Sequence, residues 1–488
     1  SGWRHRRYAW TGAPTATYAP TISADGRFVA FEGGWTSFGS SSNSALDVLV
    51  KDMTTGLVSN EHRSSSGALG LSGSGDPVIS ADGRFLAFVS SSQLLPPDST
   101  PSNTVYVAST TTGAIEAVST TAGGAFGDIG GSNPDISADG RHVVFSSRST
   151  NLAAGGNATH EDIYLKDRQT GAITRISTDT RGGDGDLDSS YAKISADGRF
   201  VVFQSAASDL PGADTLSGTD IYLWDRDSGG LQNITGGLPG NLDSALPDVA
   251  HDEGYGGVVV FHTGKALVAT DTNNALDVYA YDMTTATFSR ISETAAGAGV
   301  AVASQDASVS GDGRFVVFRS FSADLVAGDT NGFADIFVKD RITGEIALVS
   351  RTPAAQANQA AGPGPQISLG GDWIVFESSA SNLATTDANG GLSDVFRISN
   401  PLLKDTLAGG AGDDTYIIAR NDVIIEQSGA GIDTVQSAIS YILGANLEAL
   451  VLTGTANLIG SGNGLGNAIT GNAGANRLNG FGGNDTLN

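Results

Sequence analysis

Ile22-Ser23-Ala24-Asp25-Gly26-Arg27-Phe28-Val29-Ala30-Phe31 recurs, with few changes, at 79–88, 136–145 and 194–203. It returns at 309–318 and, weakened, at 367–376. The spacing is about 57 residues, and self-similarity at such a period marks stacked supersecondary units. One more copy, between Ser195 and Ser310, is degenerate. It reads Val249-Ala250-His251-Asp252, a Gly-rich insertion, then Val258-Val259-Val260-Phe261. Seven units result, which excludes most enzyme folds before any catalytic residue is weighed.

Ser-Ala-Asp-Gly-Arg is turn chemistry: Asp bonds nearby backbone and Gly supplies positive φ, so the segment predicts a tight hairpin. Phe28-Val29-Ala30-Phe31 is apolar at every position. A strand exposed on one face would alternate, so both faces of this one are expected to be covered by neighbouring sheets. About 20 residues on comes a second signature, Asp47-Val48-Leu49-Val50-Lys51-Asp52 followed by Thr54-Thr55-Gly56. Its relatives span 162–171, 220–229, 277–286 and 335–344, and the copy at 104–109 has lost its acids to Thr104 and Ser109. Each predicts a strand ending in a turn. With a following strand such as Ile173-Thr174-Arg175-Ile176-Ser177 and the short one before the Ser-Ala-Asp-Gly turn, each unit has four antiparallel strands. Four-stranded blades repeated radially make a β-propeller, and no amphipathic helical pattern interrupts them.

The last unit stops after Asp394-Val395-Phe396-Arg397-Ile398-Ser399, at Asn400-Pro401. Its missing strand is expected from Arg6-Arg7-Tyr8-Ala9-Trp10-Thr11, which would close the ring and remove an open edge. The two signatures resemble those of TolB-like propellers, Ser-x-Asp-Gly-x-x followed by an apolar run, and Asp-[Ile/Val]-[Tyr/Phe]-x-x-Asp, over roughly 4–400. The resemblance implies the fold. That family includes periplasmic scaffolds, peptidase-associated propellers and polysaccharide lyases, so it implies no single activity.

After Pro401 the chain becomes dense in Gly, Asn and Asp. Gly409-Gly410-Ala411-Gly412-Asp413-Asp414-Thr415-Tyr416-Ile417 fits the nonapeptide Gly-Gly-x-Gly-x-Asp-x-apolar-x, and 428–436 fits it with one Gly lost. Three consecutive nonapeptides, 462–470, 471–479 and 480–488, carry Asn467, Asn476 and Asp485 at the sixth position and Ile469, Leu478 and Leu487 at the eighth. They resemble the RTX, or haemolysin-type, calcium-binding repeat. That resemblance implies a parallel β-roll, two nonapeptides per coil, with Ca²⁺ between turns stacked on one side. Asp414, Asp433 and Asp485 are the leading ligands, with Asp413, Asp422 and Glu426 behind them. Oxygen donors at flexible spacing suit Ca²⁺. The other reading is that these Asp and Asn residues only form turns. The expected domains are therefore 1–400, an all-β seven-bladed propeller, and 401–488, an incomplete roll.

A second constellation repeats within the propeller. Asp271-Thr272-Asn273 precedes Asp277, Asp329-Thr330-Asn331 precedes Asp335, and Asp387-Ala388-Asn389 precedes Asp394; Asp214 and Asp220 keep only the outer pair. Such oxygen side chains could chelate Ca²⁺, or form Asx turns that start the third strand. Catalytic signatures are lacking: there is no His-Glu-x-x-His, no Gly-x-Ser-x-Gly and no phosphate-binding glycine loop. His251 and His262, both in the irregular fifth unit, are the place to look for a lyase-like metal site; the alternative is that a degenerate blade tolerates polar residues.

The formal net charge is −25, and Arg4-His5-Arg6-Arg7 is too short a basic run to argue for nucleic acid. With no cysteine, thiolate and disulfide chemistry are excluded. No apolar run is long enough to span a membrane. The chain begins at Ser and ends inside a repeat array, as a processed protein or part of a longer one would. Acidic, Cys-free, Gly-rich chains with RTX repeats resemble proteins exported by type I systems. The expectation is a secreted, calcium-binding, non-enzymatic protein of the bacterial cell surface or matrix, with a protein or polysaccharide partner or self-assembly. The alternative is a secreted carbohydrate-active enzyme, a propeller-type lyase or hydrolase. A cluster of His, Arg, Tyr and acid side chains at the channel mouth would favour the enzyme.

Overall fold

The structure is a computed structural model. It describes residues 8–9, 16–34, 46–96, 103–156, 158–213, 218–237, 243–252, 256–352, 355–384, 391–403, 406–418, 422–455 and 457–488. The chain separates into two compact units, the first ending at Asn400 and the second running from Pro401 to Asn488. Among the described residues both contain strands and no helix, so none is long and apolar enough to cross a membrane.

The first unit contains seven four-stranded antiparallel sheets. Blade 4 is typical, with strands Ser189–Ile194, Phe200–Ser205, Asp220–Asp225 and Leu231–Asn233 paired in chain order. In blade 7, Gln366–Ile367, Trp373–Ser378 and Asp394–Ser399 are joined by Tyr8–Ala9 from the other end of the chain. Tyr8 pairs with Arg397 and Ala9 with Phe396; the rest of the expected closing strand, Arg6, Arg7, Trp10 and Thr11, lies outside the described residues. First strands of successive blades lie against one another around the whole ring, blade 7 returning to blade 1. They therefore wall the central channel.

The repeated motif acts mostly at the seams between blades. Its last Phe (Phe31, Phe88, Phe145, Phe203, Phe261, Phe318 or Phe376) is fully buried. Most of these rings stack on an aromatic of the third strand, as Phe203 does on Tyr222 at 5.5 Å and Phe145 on Tyr164 at 5.8 Å. The core is shared across seams: Val144, Ile163 and Leu165 of blade 3 cluster with Val201, Phe203 and Tyr222 of blade 4. That sharing is why the strand is apolar on both faces. In the turn, Ser80 donates to Asp82 at 2.7 Å, Asp82 accepts from Arg84 N at 2.9 Å, and Ser80 Oγ accepts from Phe85 N at 3.0 Å.

The turn glycine and the first aromatic of the motif are the two halves of one joint. Gly83 in blade 2 has φ 71° and presses on Phe28 of blade 1, where a β-carbon would lie 2.3 Å from the ring. Gly140 sits on Phe85 in the same way, at 2.2 Å. Gly26, Gly198, Gly313 and Gly371 meet Trp373, His142, Val258 and Phe315 of the preceding blade. The fifth repeat has lost the sequence of this turn.

The second unit is a parallel solenoid. One sheet stacks Thr415–Ile418, Thr434–Ser437, Ala449–Leu452, Ala468–Thr470 and Thr486–Leu487. The other stacks Tyr441–Ile442, Ile459–Ser461 and Arg477–Asn479, and Thr406–Leu407 pairs with Val423–Ile424. Tyr416, Ile418, Val435, Leu450, Leu452 and Ile469 fill its interior. Where a nonapeptide opens with glycine, at 409, 462, 471 and 480, the sixth residue folds back over it and requires it. A β-carbon at Gly409 would lie 2.2 Å from Asp414 Oδ2, and one at Gly462 would lie 2.4 Å from Asn467 Oδ1.

Candidate metal centre

Asp414 and Asp433 each stand immediately before a strand, and the pairing of Thr415 with Thr434 stacks them in neighbouring coils. Asp414 N donates to Asp433 Oδ1 at 2.9 Å. Glu426 enters from the turn after Val423–Ile424. Ligand atoms of Asp414, Glu426 and Asp433 all lie within 4.8 Å of one another, the one such group of three among the described residues. Asp433 is 1% and Glu426 9% exposed. Asp414 Oδ2 and Asp433 Oδ2 are buried with no hydrogen-bond partner. Tyr416 OH accepts from Gly409 N at 2.7 Å and donates to Glu426, orienting that carboxylate from inside the coil. Three converging carboxylates repel one another and leave two buried acceptors unsatisfied, so the cluster could bind a metal ion.

The other expected ligands in the roll stand apart from this group. Asp413 is exposed and accepts from Ile432 N at 2.8 Å, bracing the next coil. Asp485, in the last coil, accepts from Asn467 N at 2.9 Å. Asn467 and Asn476 accept from Asn463 N and Asn472 N at 2.7 and 2.6 Å, which closes their own turns. Asp422 is buried outside the cluster. Sequence reasoning missed Glu448, which occupies the same ladder position before Ala449–Leu452 and accepts from Asp433 N at 3.0 Å. Its repeat has lost the glycine signature; only the register reveals it.

In the propeller the repeated oxygen constellations build turns. Asn273 Nδ2 donates to Asp277 Oδ2 at 2.7 Å and to Val300 O at 2.6 Å. Ser292 donates to the other oxygen of Asp277. Asp271 accepts from Tyr279 OH and Asn273 N, with Arg290 3.6 Å away. Blade 6 repeats the scheme. Asn331 joins Asp335 at 2.7 Å and Ala357 O at 3.2 Å, Ser350 donates to Asp335, and Gln356 reaches Asp329 at 3.4 Å. Burial raises the carboxyls of Asp277, Asp329 and Asp335, the last to about 6. Asp214, Asp387 and Asn389 lie outside the described residues.

His251 and His262 do not share a site. On paired strands His251 faces Gly257 while His262 faces Ala245, about 17 Å apart along the strand at 3.3 Å per residue. His251 Nδ1 bonds Asp197 at 2.8 Å. His262 belongs to a run of second-strand side chains facing the channel wall: His262, Arg319, Glu377 and Glu32, from blades 5, 6, 7 and 1. Glu32 and Glu377 accept backbone N–H groups of the next blade's bulged first strand, from Asp76 at 2.8 Å and Ala19 at 3.3 Å. Arg319 pairs with Asp306 at 3.4 Å. Burial, with the Glu32 charge adding to it, lifts the Glu377 carboxyl to about 7, against the pull of Ala19 N and Arg319.

A Ser–His–Asp alignment at the seam of blades 1 and 2 was not legible, because its members are far apart in sequence. His62 Nε2 is 2.7 Å from Ser90 Oγ and its Nδ1 is 2.9 Å from Asp47. None is more than 1% exposed, and Gly70 covers the imidazole so closely that a β-carbon would lie 2.2 Å from it. No substrate reaches Ser90. The network pins the third strand, as Arg175 and Ser177 do at Asp162 in blade 3.

No protein-family model matches the chain, and a search of curated proteins returns no match. Solved structures do resemble it. TolB from Acinetobacter baumannii is 17% identical over 62% of this chain and 58% of that one, with a TM-score of 0.37. An oligogalacturonate lyase in complex with manganese is 13% identical over 82% and 96%, at 0.49. The β-propeller domain of the Trilobed protease from Pyrococcus furiosus is 12% identical over 79% and 95%, at 0.48. Its neighbours in fold are TolB-like propellers. The chain spans 58% of the length of that TolB. At such identities and scores no activity, ligand or partner passes from these proteins to this chain.

Proposed function

We propose that this is a secreted, non-enzymatic binding or assembly protein of the bacterial cell surface or extracellular matrix, whose roll takes up Ca²⁺ and whose propeller makes the contacts. Its partner is a protein or a polysaccharide, or further copies of itself. The observation that carries the cation is the pair of buried, unpartnered oxygens on Asp414 and Asp433 beside Glu426. The donors are all oxygen and all anionic, which suits a hard divalent ion. Asp414, Glu426 and Asp433 would hold it; Asp271, Asn273, Asp277, Asp329, Asn331 and Asp335 have their oxygens engaged in turn bonds. The RTX-like spacing of the repeats supports calcium and export together, and the net charge of −25 suits a medium that supplies divalent ions.

Calorimetric titration of the full chain with Ca²⁺ tests this. The expected result is saturable binding that Asp433→Asn weakens at least tenfold and Asp413→Asn leaves nearly unchanged. Absence of binding, or binding indifferent to Asp433, would overturn it. The alternative, a carbohydrate-active enzyme, is favoured by one observation: the Glu377 carboxyl, poised at about 7 near Glu32 and Arg319, the latter paired with Asp306, a value suited to proton transfer near neutrality.

A further inference from the structure

Six of the seven seams are sealed by a turn glycine seated on the preceding blade's motif residue. The fifth repeat has lost the Ser-Ala-Asp-Gly sequence, and among the described residues the joint between blades 4 and 5 is made by other side chains. There Phe200 meets His251 instead, edge-on at 4.6 Å between ring centres. His251 is held in that pose by Asp197 of blade 4, 2.8 Å from Nδ1. An open groove of about 440 Å³ remains at this seam, within the roughly 300–1,000 Å³ range of ligand pockets.

The groove's chemistry is mixed. Phe200, Leu223 and Met283 give an apolar floor, and Gln232 and Thr284 bring an amide and a hydroxyl to the rim, while Ser228 Oγ is hydrogen-bonded to Asp225 and Gly230 N. Its charges are matched. Asp225 is paired with Arg199 through two hydrogen bonds of 3.0 and 3.1 Å, and His251 with Asp197. A charged ligand would find no uncompensated partner, and a purely apolar one would strand the rim's polar groups. A sugar ring offers an apolar C–H face and an edge of hydroxyls, both donor and acceptor.

We propose that the groove between blades 4 and 5 is a binding subsite for a neutral saccharide. It lies on the outer side of blades 4 and 5, by their fourth strand and third-strand turn, away from the channel wall. It rests on the reading of the propeller as the contact-making half of the protein, and it identifies the partner as a neutral polysaccharide. The test is saturation-transfer NMR of the full chain with cellotetraose, laminaritetraose and maltotetraose, and with trigalacturonate as the charged comparison. At least one neutral tetrasaccharide is expected to receive transfer. Gln232→Ala and His251→Ala should each weaken it at least tenfold, while Gln169→Ala, in the equivalent turn region of blade 3, should not. Transfer to none of the neutral sugars, to trigalacturonate alone, or to a neutral sugar regardless of both substitutions would overturn the inference. Ca²⁺ titration of the same samples separates the two failures: retained Ca²⁺ binding without saccharide binding sinks this subsite and leaves the cation reading standing.

Discussion

Acidic side chains in this protein sit in two opposed electrostatic situations. At the motif turns, Arg27 grips Asp52 and Arg199 grips Asp225, and these hydrogen bonds hold both carboxyls at about 2. Inside the blades and at the channel wall, burial raises Asp162 and Asp335 to about 6 and Glu377 to about 7. The first group adds stability above the unfolded value near 4 and loses it as pH falls toward 2. The second group binds protons in the folded state between about 4 and 7, where the unfolded chain has released them, so stability falls as pH rises through that window. Reduced self-repulsion among the excess acids acts in the same direction. In chelator, the melting temperature of the chain should therefore be higher at pH 5.5 than at pH 7.5. Glu377→Gln, which cannot ionise, should narrow that difference. A higher melting temperature at pH 7.5 than at pH 5.5 would contradict the assignment of these carboxyls as buried and raised.

At the scale of elements, closure of the ring depends on two residues pairing across nearly the whole propeller, Tyr8 with Arg397 and Ala9 with Phe396. Deleting residues 1–12 bares the edge of Asp394–Ser399. The expected outcome is a lower melting temperature and concentration-dependent association through the exposed edge; an unchanged melting curve and a monomer would show that the strand contributes nothing. This pairing was legible because the seventh repeat lacks a fourth strand and the first is preceded by a surplus one. The blades were legible for a similar reason: Ser, Asp, Gly, Arg and Phe each do one local job, repeated in register. What stayed hidden depends on three-dimensional neighbours. Glu32 and Glu377 look like isolated polar residues in apolar strands, and only the ring places them in adjacent blades. Glu426 stood level with Asp413 in sequence, both behind the sixth-position acids; the coil leaves Asp413 exposed and buries Glu426. His251 read as a metal candidate, whereas its ring packs edge-on against Phe200 of blade 4.

For the whole molecule, the two units draw stability from different sources. The propeller shares its core between neighbouring blades, and six joints seat a turn glycine on a motif residue of the preceding blade. The roll has short strands and a thin interior, with Ile417, Ile432 and Ile442 left exposed. Its first two coils also bring three carboxylates together at their buried edge. Each coil rests mainly on its neighbours, so order in such a solenoid propagates from the best-stabilised pair. A cation at Asp414, Glu426 and Asp433 would remove the repulsion, satisfy both unpartnered oxygens and join the first coil to the second. Hydrogen exchange of the full chain, followed by mass spectrometry with and without Ca²⁺, tests this most directly. Added to chelated protein, millimolar Ca²⁺ should slow exchange by an order of magnitude or more across 406–437 and leave the blade strands of 162–225 unchanged. Equal protection of 406–437 in both conditions would show that the turns hold the roll without an ion.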